Sequence, residues 1–371
     1  DYAAKAIADQ ALQAHILART RWILELVNEK KIKKAGEISI LLASEIPQFD
    51  VSGTAPQDIV SLAEGTLREH EAAVASGGAY TRTGIDMLDR TLGGGSAGEL
   101  WLIGGYSGDG KTFSALNLAY SVWETTDKTV MWIPNEMSKK RMATLFVARH
   151  SATLFPESPL STKSMREGTL GPDDREILRK TVLDIRQREA KGKRWHIWKP
   201  KRGSSMETIG QYLEGQKYKL SVDLLVIDYL EQLPAIKERR SGREELNDTL
   251  GEAKYFAENY NGGRGLWLIS PHQINRDGKK DCEKRKPTPH YLMGDLAESA
   301  RAERDADVVL WVLRNNKLQA LHQVILGCAK ARGSESIPLG FKMLENYGSA
   351  YLGNLVEEAA AVADADFDSV D

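Results

Sequence analysis

Cysteine is nearly absent from this 371-residue chain, which carries only Cys282 and Cys328. No metal-ligand spacing links the pair to the seven histidines. A disulfide framework and a thiolate metal centre are therefore excluded, and the two read as reduced thiols of an intracellular protein. Long apolar runs are missing too: none approaches the ~18 residues of a membrane span, and no signal peptide is visible. The reading is a cytoplasmic protein with no membrane partner. Neither charge sign dominates, since 50 Lys and Arg face 52 Asp and Glu for a net charge of −2. Bulk charge thus announces no nucleic acid, and a nucleic-acid binder of this composition must concentrate its basic residues locally. A starting methionine is also lacking, which reads as an upstream segment removed or left out. What remains is ordinary for a soluble globular protein, with 42% hydrophobic and 27% charged residues. The length points to one large core domain plus appendages.

Residues 1–56 are rich in Ala, Leu, Ile, Lys and Glu, with no proline before Pro47, and predict helices over 2–29 and 34–45. A second segment, 57–80, holds an amphipathic helix over 57–75, with Ile59, Leu62, Leu67 and Ala73 spaced for one face, and a glycine hinge. That helix has too little apolar surface to stand alone and must dock on something. From Thr81 to residue 355 the pattern changes to short apolar strands alternating with helices. Strands are predicted at 99–104, 129–133, 194–198, 222–227, 265–270, 307–313, 322–328 and 337–343, with helices near 113–125, 138–153, 173–191, 206–217 and 244–260. Such alternation predicts an α/β fold: a mostly parallel sheet flanked by helices, with the last strands as antiparallel hairpins at one edge. Residues 356–371 are Ala- and Asp-rich and read as a disordered acidic tail.

Gly105 to Thr112 reads Gly-Tyr-Ser-Gly-Asp-Gly-Lys-Thr, the phosphate-loop pattern, between a strand-type run and a helical one. Backbone amides of Gly105, Ser107, Gly108, Asp109 and Gly110 are expected to cradle the phosphates of ATP or GTP. Lys111 reaches the β- and γ-phosphates in this reading, and the Thr112 hydroxyl binds Mg²⁺. Asp228 ends the run Leu-Leu-Val-Ile-Asp, where an NTPase holds Mg²⁺ through water; a plain turn cap is the alternative. Glu136 closes the strand after the first helix and is a candidate base for a water attacking the γ-phosphate, beside Ser138 as a helix cap. Gln273, in Ser-Pro-His-Gln-Ile-Asn-Arg, is a candidate γ-phosphate sensor, whereas His272 reads as a local packing residue. Lys330 and Arg332 point the same way along a late strand. They are poorly placed for their own nucleotide and either reach a neighbour's or form a solvated basic turn.

These stretches, with Asn-Glu-Met-Ser at 135–138, Val-Ile-Asp-Tyr-Leu at 226–230, Glu-Arg-Asp-Ala-Asp at 303–307 and Lys-Ala-Arg-Gly at 330–333, occur in one order. Together with the entry segment from Thr83 they resemble the DnaB family of replicative helicases, bacterial or phage. The resemblance covers about 80–353 well and extends weakly over residues 1–75. It implies a RecA-like motor, assembled as a homo-hexamer on single-stranded DNA, using ATP and Mg²⁺ between subunits and moving 5′→3′. It also implies that Lys330 and Arg332 act in trans, supports Glu136 as base, Asp228 at the metal and Gln273 as sensor, and seats the 57–75 helix on an adjacent subunit. A primase and a helicase loader are the implied protein partners.

The DNA-contacting stretch departs from that family. Asp295-Leu-Ala-Glu-Ser-Ala replaces the usual Asp-Leu-Arg-Glu-Ser-Gly, so Ala297 and Ala300 stand where arginine and glycine are common. The amides of Glu298, Ser299, Ala300 and Arg301 remain candidates for phosphate contact, with Arg301 as a substitute cation. A basic loop with Arg239, Arg240 and Arg243 is the second candidate; a solvated charge run is the alternative for both. The equally basic stretch 276–286 reads as a solvated loop. Asp109 stands where the family usually has an apolar residue such as methionine, and is expected to face solvent or a cation from the next subunit. Two rival readings stay open, a RecA- or RadA-like recombinase and a KaiC-like regulatory ATPase.

Overall fold

The structure, a computed structural model, describes residues 18–31, 80–234, 242–274, 276–286, 288–296 and 300–355 (backbone only at 242–244, 296, 300 and 301), with isolated positions between 34 and 71. The chain divides into two compact units, Asp1–Glu69 and His70–Asp371. In the first, a helix spans 18–28, and Leu26 and Ile38 are buried with Ile23 packed against them. The rest of the two expected N-terminal helices lies outside the described residues, save Lys34 and Ile38, both helical. The described positions from 59 to 71 are all helical, and Ile59, Val60 and Leu67 are exposed.

The second unit is built on one nine-stranded sheet. Strands β1 (Leu100–Gly105), β2 (Val130–Pro134), β3 (Trp195–Ile197), β4 (Leu224–Asp228), β5 (Trp267–Gln273) and β6 (Val308–Leu313) run parallel. β7 (Gln323–Ala331), β8 (Ile337–Asn346) and β9 (Tyr351–Asn354) follow as antiparallel neighbours. The order is β3-β2-β4-β5-β1-β6-β7-β8-β9. The inner strands are mostly apolar because both faces of the sheet are covered, with polar residues such as Asp228, His272 and Gln273 toward their ends. Period-two alternation divides their side chains between two core layers. Trp101 and Ile103 face the layer that holds Leu116, Tyr120 and Phe146 from helices α1 (Lys111–Thr125) and α2 (Lys139–Leu154). Leu100 and Leu102 face the other, with Ile209 and Leu213 of α4 (Met206–Gln216) and Leu250 and Ala253 of α5 (Gly242–Gly263). Helix α3 (Pro172–Ala190) lies outside α2, and the buried His150 of α2 pairs with its Asp184. This is a RecA-like arrangement.

Each expected strand and helix of the motor region is present, with ends displaced by a few residues. Short helices such as Asp86–Leu92, Thr162–Glu167 and Asn316–Ala320 add to the expected elements, and two further features differ from expectation. β9 is an additional strand, too short and too glycine-interrupted to show in the pattern. The stretch from 276 is no solvated loop but helix α6 (Arg276–Lys284), with Gly278 and Cys282 buried four residues apart on its inner face. A glycine and a cysteine are weak apolar markers, so the charges around them masked the helix. The acidic tail lies outside the described residues.

Candidate nucleotide site

Parallel strands carry their ends to one sheet edge, and four of those ends bear the polar residues singled out above. Gly105 of β1 is in register with Gln273 of β5, and Pro134 of β2 with Asp228 of β4. Between β1 and α1 the loop turns through Gly108 (φ 87°) and Gly110 (φ 101°), conformations an L side chain rarely adopts. A Cβ at either would meet nothing within 4 Å, so backbone geometry, not crowding, calls for glycine there. The loop therefore presents amides and the positive end of α1 to a common space. That space is a cavity of about 1020 Å³ bordered by Ser107, Gly108, Gly110, Lys111, Thr112 and Glu136, among others.

Lys111 is buried, and its ammonium donates to the carbonyls of Gly105 (2.9 Å) and Tyr106 (3.1 Å) and to Gln273 Oε1 (2.9 Å). Burial lowers its pKa, opposed by the carboxylates of Asp109, Glu231, Asp228 and Glu136. Gln273 is itself fixed: its backbone amide donates to Glu231 Oε1 at 3.0 Å, and Glu231 also pairs with the His272 ring. Burial alone would raise the Glu231 pKa, but the His272 contact and the Gln273 amide outweigh it and hold it low. Glu231 is a positioning group that sequence reasoning missed; its only signal was a carboxylate just beyond the Asp228 strand end.

Asp228 is 1% exposed, and its two carboxylate oxygens lie 3.2 and 3.4 Å from Thr112 Oγ1. Burial, reinforced by the nearby Glu136 charge, pushes its pKa up to about 7 despite the Thr112 hydroxyl and Lys111. A buried carboxylate in that condition is short of positive charge. Two hard oxygens beside a phosphate loop suit Mg²⁺, which takes one or two protein ligands and completes its shell with phosphate and water. Among the described residues no cluster of three or more His, Cys, Asp or Glu could hold a metal unaided. Glu136 is exposed; its backbone is held by its amide on the Asp228 carbonyl (3.3 Å) and its side chain accepts from Gln232 Nε2 (3.2 Å). Ser138 caps α2, its hydroxyl accepting from the Arg141 amide at 3.2 Å.

Asp109 behaves otherwise than expected. It is 3% exposed and accepts from Lys279 Nζ (3.0 and 3.1 Å), the Tyr291 hydroxyl (3.0 Å) and the Tyr106 amide (3.1 Å). Its cation comes from α6 of the same chain, neither from solvent nor from a neighbour, because α6 folds back over the loop.

Lys330 and Arg332 stand apart from this edge. Lys330 is paired with Val309 of β6, which aligns with Leu102 of β1, three positions or about 10 Å of strand before Gly105. Its ammonium donates to the carbonyls of Glu303 and Ala306. Burial and the neighbouring Arg332 charge lower its pKa. Arg332 is exposed and pairs with Asp307 at 3.1 Å. Asp307 is also held by Lys254 (2.7 Å) and accepts from the Leu100 amide (2.8 Å). Of the candidate DNA residues, Arg239, Arg240, Glu298 and Ser299 lie outside the described residues, as do the side chains of Arg243, Ala300 and Arg301. Both cysteines are free and buried, their thiols pushed up to about 12 (Cys282) and about 11 (Cys328) by burial, so neither is reactive. No helix among the described residues is long and apolar enough to cross a membrane.

Fold and strand-end geometry define a RecA-like ATPase domain of the phosphate-loop class. Its sequence matches the family of the DnaB-like helicase C terminal domain over residues 81–343, and the chain belongs to that family. The replicative DNA helicase DnaB of Leifsonia xyli is 24% identical over 323 residues, covering 85% of this chain and 65% of that protein. DnaB of Geobacillus stearothermophilus is 24% identical over 250 residues, covering 63% of this chain and 47% of that protein. The chain thus spans about half to two thirds of the length of these relatives. Among solved structures, a DnaB-like replicative helicase described with its interactions with primase superposes with a TM-score of 0.64 at 20% identity, covering 95% of this chain and 78% of the other. A second solved structure, of an ATPase domain on its own, gives 0.66 at 20% identity, covering 81% of this chain and all of the other.

Proposed function

We propose that this chain is the motor of an ATP-dependent replicative DNA helicase. It works as a ring of six copies that moves 5′→3′ along single-stranded DNA and hydrolyses ATP between subunits. The observation that carries this reading is the split arrangement of charge: the phosphate loop, Glu136, Asp228 and Gln273 converge on one sheet edge, while Lys330 and Arg332 lie well short of it along the strands. A cation pair set apart from its own phosphate loop serves the site of the next copy around a ring.

In this reading Lys111 and the loop amides bind the phosphates, and Thr112 and Asp228 would hold Mg²⁺, which would supply charge neutralisation at the phosphates. Glu136 accepts the proton of the attacking water. Gln273, already bonded to Lys111, senses the γ-phosphate and passes the signal toward the segments after Asp228 and Asp295. Those segments, with Arg239, Arg240, Arg243 and residues 298–301, contact the DNA backbone, which suits a motor indifferent to sequence. The exposed Ile59, Val60 and Leu67 on the 57–75 helix are the apolar contacts to an adjacent subunit. Residues 1–56 are a helical N-terminal segment, 57–80 a linker helix and hinge, 81–355 the motor and 356–371 an acidic tail. A primase and a loader are the partners in a bacterial cytoplasm, whether the protein is host- or phage-encoded.

The test is strand separation on a fork with a 5′ tail, combined with electron microscopy of the protein with an ATP analogue and single-stranded DNA. Six-membered rings and ATP-dependent unwinding are expected. Filaments with homologous pairing and no unwinding support the recombinase instead, and hydrolysis indifferent to DNA supports the regulatory ATPase. Doping Arg332→Ala into wild-type protein should depress hydrolysis more than dilution accounts for; strict proportionality contradicts action in trans.

A further inference from the structure

Asp109 is a charged residue inside a phosphate-binding loop, and its surroundings give it a purpose the nucleotide reading does not use. Its two oxygens are filled by Lys279, Tyr291 and the Tyr106 amide, and Lys279 spends a further hydrogen on the Arg314 carbonyl at 3.1 Å. Tyr291 is fully buried. A buried ion pair is weak evidence of stability by itself, since apolar side chains of similar volume often serve folding as well. What such a pair fixes is position.

The position fixed is that of α6 relative to the loop, and the chain is pinned again at Arg285, one residue past the other end of α6. Arg285 grips Asp295 with two nitrogens, at 2.5 and 2.9 Å, and donates to the His290 carbonyl at 3.0 Å. Asp295 in turn accepts from the Leu292 amide at 2.6 Å. One residue before Lys279, Gly278 lies close against Asp295: a Cβ on it would stand 3.1 Å from both the Asp295 Cβ and its carbonyl oxygen. From Lys279 to Lys284, the last helical residue before Arg285, the helix rises about 7.5 Å, too short a span to bend. Every link in the path from the phosphate loop to the turn at Asp295 is thus a named contact on one rigid element.

We propose that Asp109, Lys279 and Tyr291 latch the phosphate loop to helix α6, so that the loop and the turn ending at Asp295 move as one unit. Asp109, Lys279 and Tyr291 are positioning residues in this scheme. The proposal deepens the helicase reading, because Asp295 opens a segment assigned there to DNA, but the latch can be tested without DNA or nucleotide.

The experiment is hydrogen exchange by mass spectrometry on the full chain. Arg285→Met breaks the far end of the path; the amides of 105–112 should then exchange about tenfold faster. Lys279→Met breaks the near end and should speed exchange over 288–296 likewise. If each substitution loosens only its own end, the latch is refuted, whatever the protein does with DNA. Tyr291→Phe keeps the ring and removes one hydroxyl, so it should give a smaller change of the same pattern in a chain that folds; a purely local change counts against the proposal. A fluorescent ATP analogue supplies the second readout. Lys279→Met should weaken its binding about tenfold, since the Asp109 charge is left unpaired beside the phosphates. Asp109→Met combined with Lys279→Met should recover binding to within about threefold while the exchange coupling stays lost. A double variant as impaired as the single one would show packing, not a latch. Failure of the wild type to bind the analogue would sink the nucleotide reading yet leave the exchange comparison decisive.

Discussion

Replacing Asp228 with asparagine should make the protein more stable and less able to work. The carboxylate is 1% exposed, and burial raises its pKa from the ordinary 3.8 to about 7. Between those two pH values the folded chain holds a proton that the unfolded chain has released. Stability therefore falls as pH rises from about 4 to about 7 and levels off above that. The rise spans about three powers of ten in proton affinity, or roughly 4 kcal/mol, an upper figure because water and relaxation soften buried charges. Asparagine keeps the shape and the Thr112 contact but carries no charge. In urea melts without magnesium or nucleotide, Asp228→Asn should lie within about 1 kcal/mol of the wild type near pH 4.5 and exceed it by about 2–4 kcal/mol at pH 8. The pH dependence of the difference is the signal, since a constant offset reports only the change of amide for acid. ATP hydrolysis by the same variant should be lost, because the group that destabilises the fold is the one assigned to Mg²⁺. A stability difference that stays flat from pH 4.5 to 8 would refute the buried-charge argument, and full hydrolytic activity would refute the assignment.

Three shorter tests address other parts of the molecule. Glu136→Gln should lower kcat by about two to four orders of magnitude with KM changed only severalfold, as expected for loss of a general base; a large rise in KM alone assigns it to binding. His150 is buried between Tyr120 (2.7 Å) and Asp184 (2.8 Å), with Arg188 and Glu124 nearby, and burial holds its pKa below 6.5 against the Asp184 contact. The unfolded chain takes up that proton first, so stability should drop as pH falls below about 6.5, and the drop in urea midpoint should shrink in His150→Gln. An unchanged pH slope in the variant places the titration elsewhere. Gly327 of β7 faces Trp311 of β6, and a Cβ there would come within 2.3 Å of the indole ring. Gly327→Ala should cost about 1–3 kcal/mol in a thermal or urea melt, and a neutral result contradicts the β6–β7 register.

Much of the sheet and one edge of the site were legible in the sequence because their constraints are local. A strand buried on both faces must be a run such as Leu-Leu-Val-Ile, and polar residues stand where the run stops, as at Asp228 and Gln273. A phosphate loop must have glycines where φ is positive, so Gly108 and Gly110 announce it without help from the rest of the chain. Nothing comparable marks a pairing made by topology. Asp109 and Lys279 are 170 positions apart and meet because β5 lies beside β1 and α6 starts three residues after β5 ends. Read locally, an aspartate among phosphates looked misplaced and a lysine in a basic run looked solvated. Each was half of a neutral pair whose other half no local pattern could supply. The same logic bears on Lys330 and Arg332. Their spacing suggests a shared direction along a strand, but β7 ends at Ala331 and leaves Arg332 in the turn beyond it, and only the register of β7 on β6, and of β6 on β1, puts them short of the edge where the phosphate loop lies. A charge that looks unexplained in one stretch of chain is thus best treated as a statement about a partner, and the length of sequence between them measures how much of the fold must be known before that partner can be named.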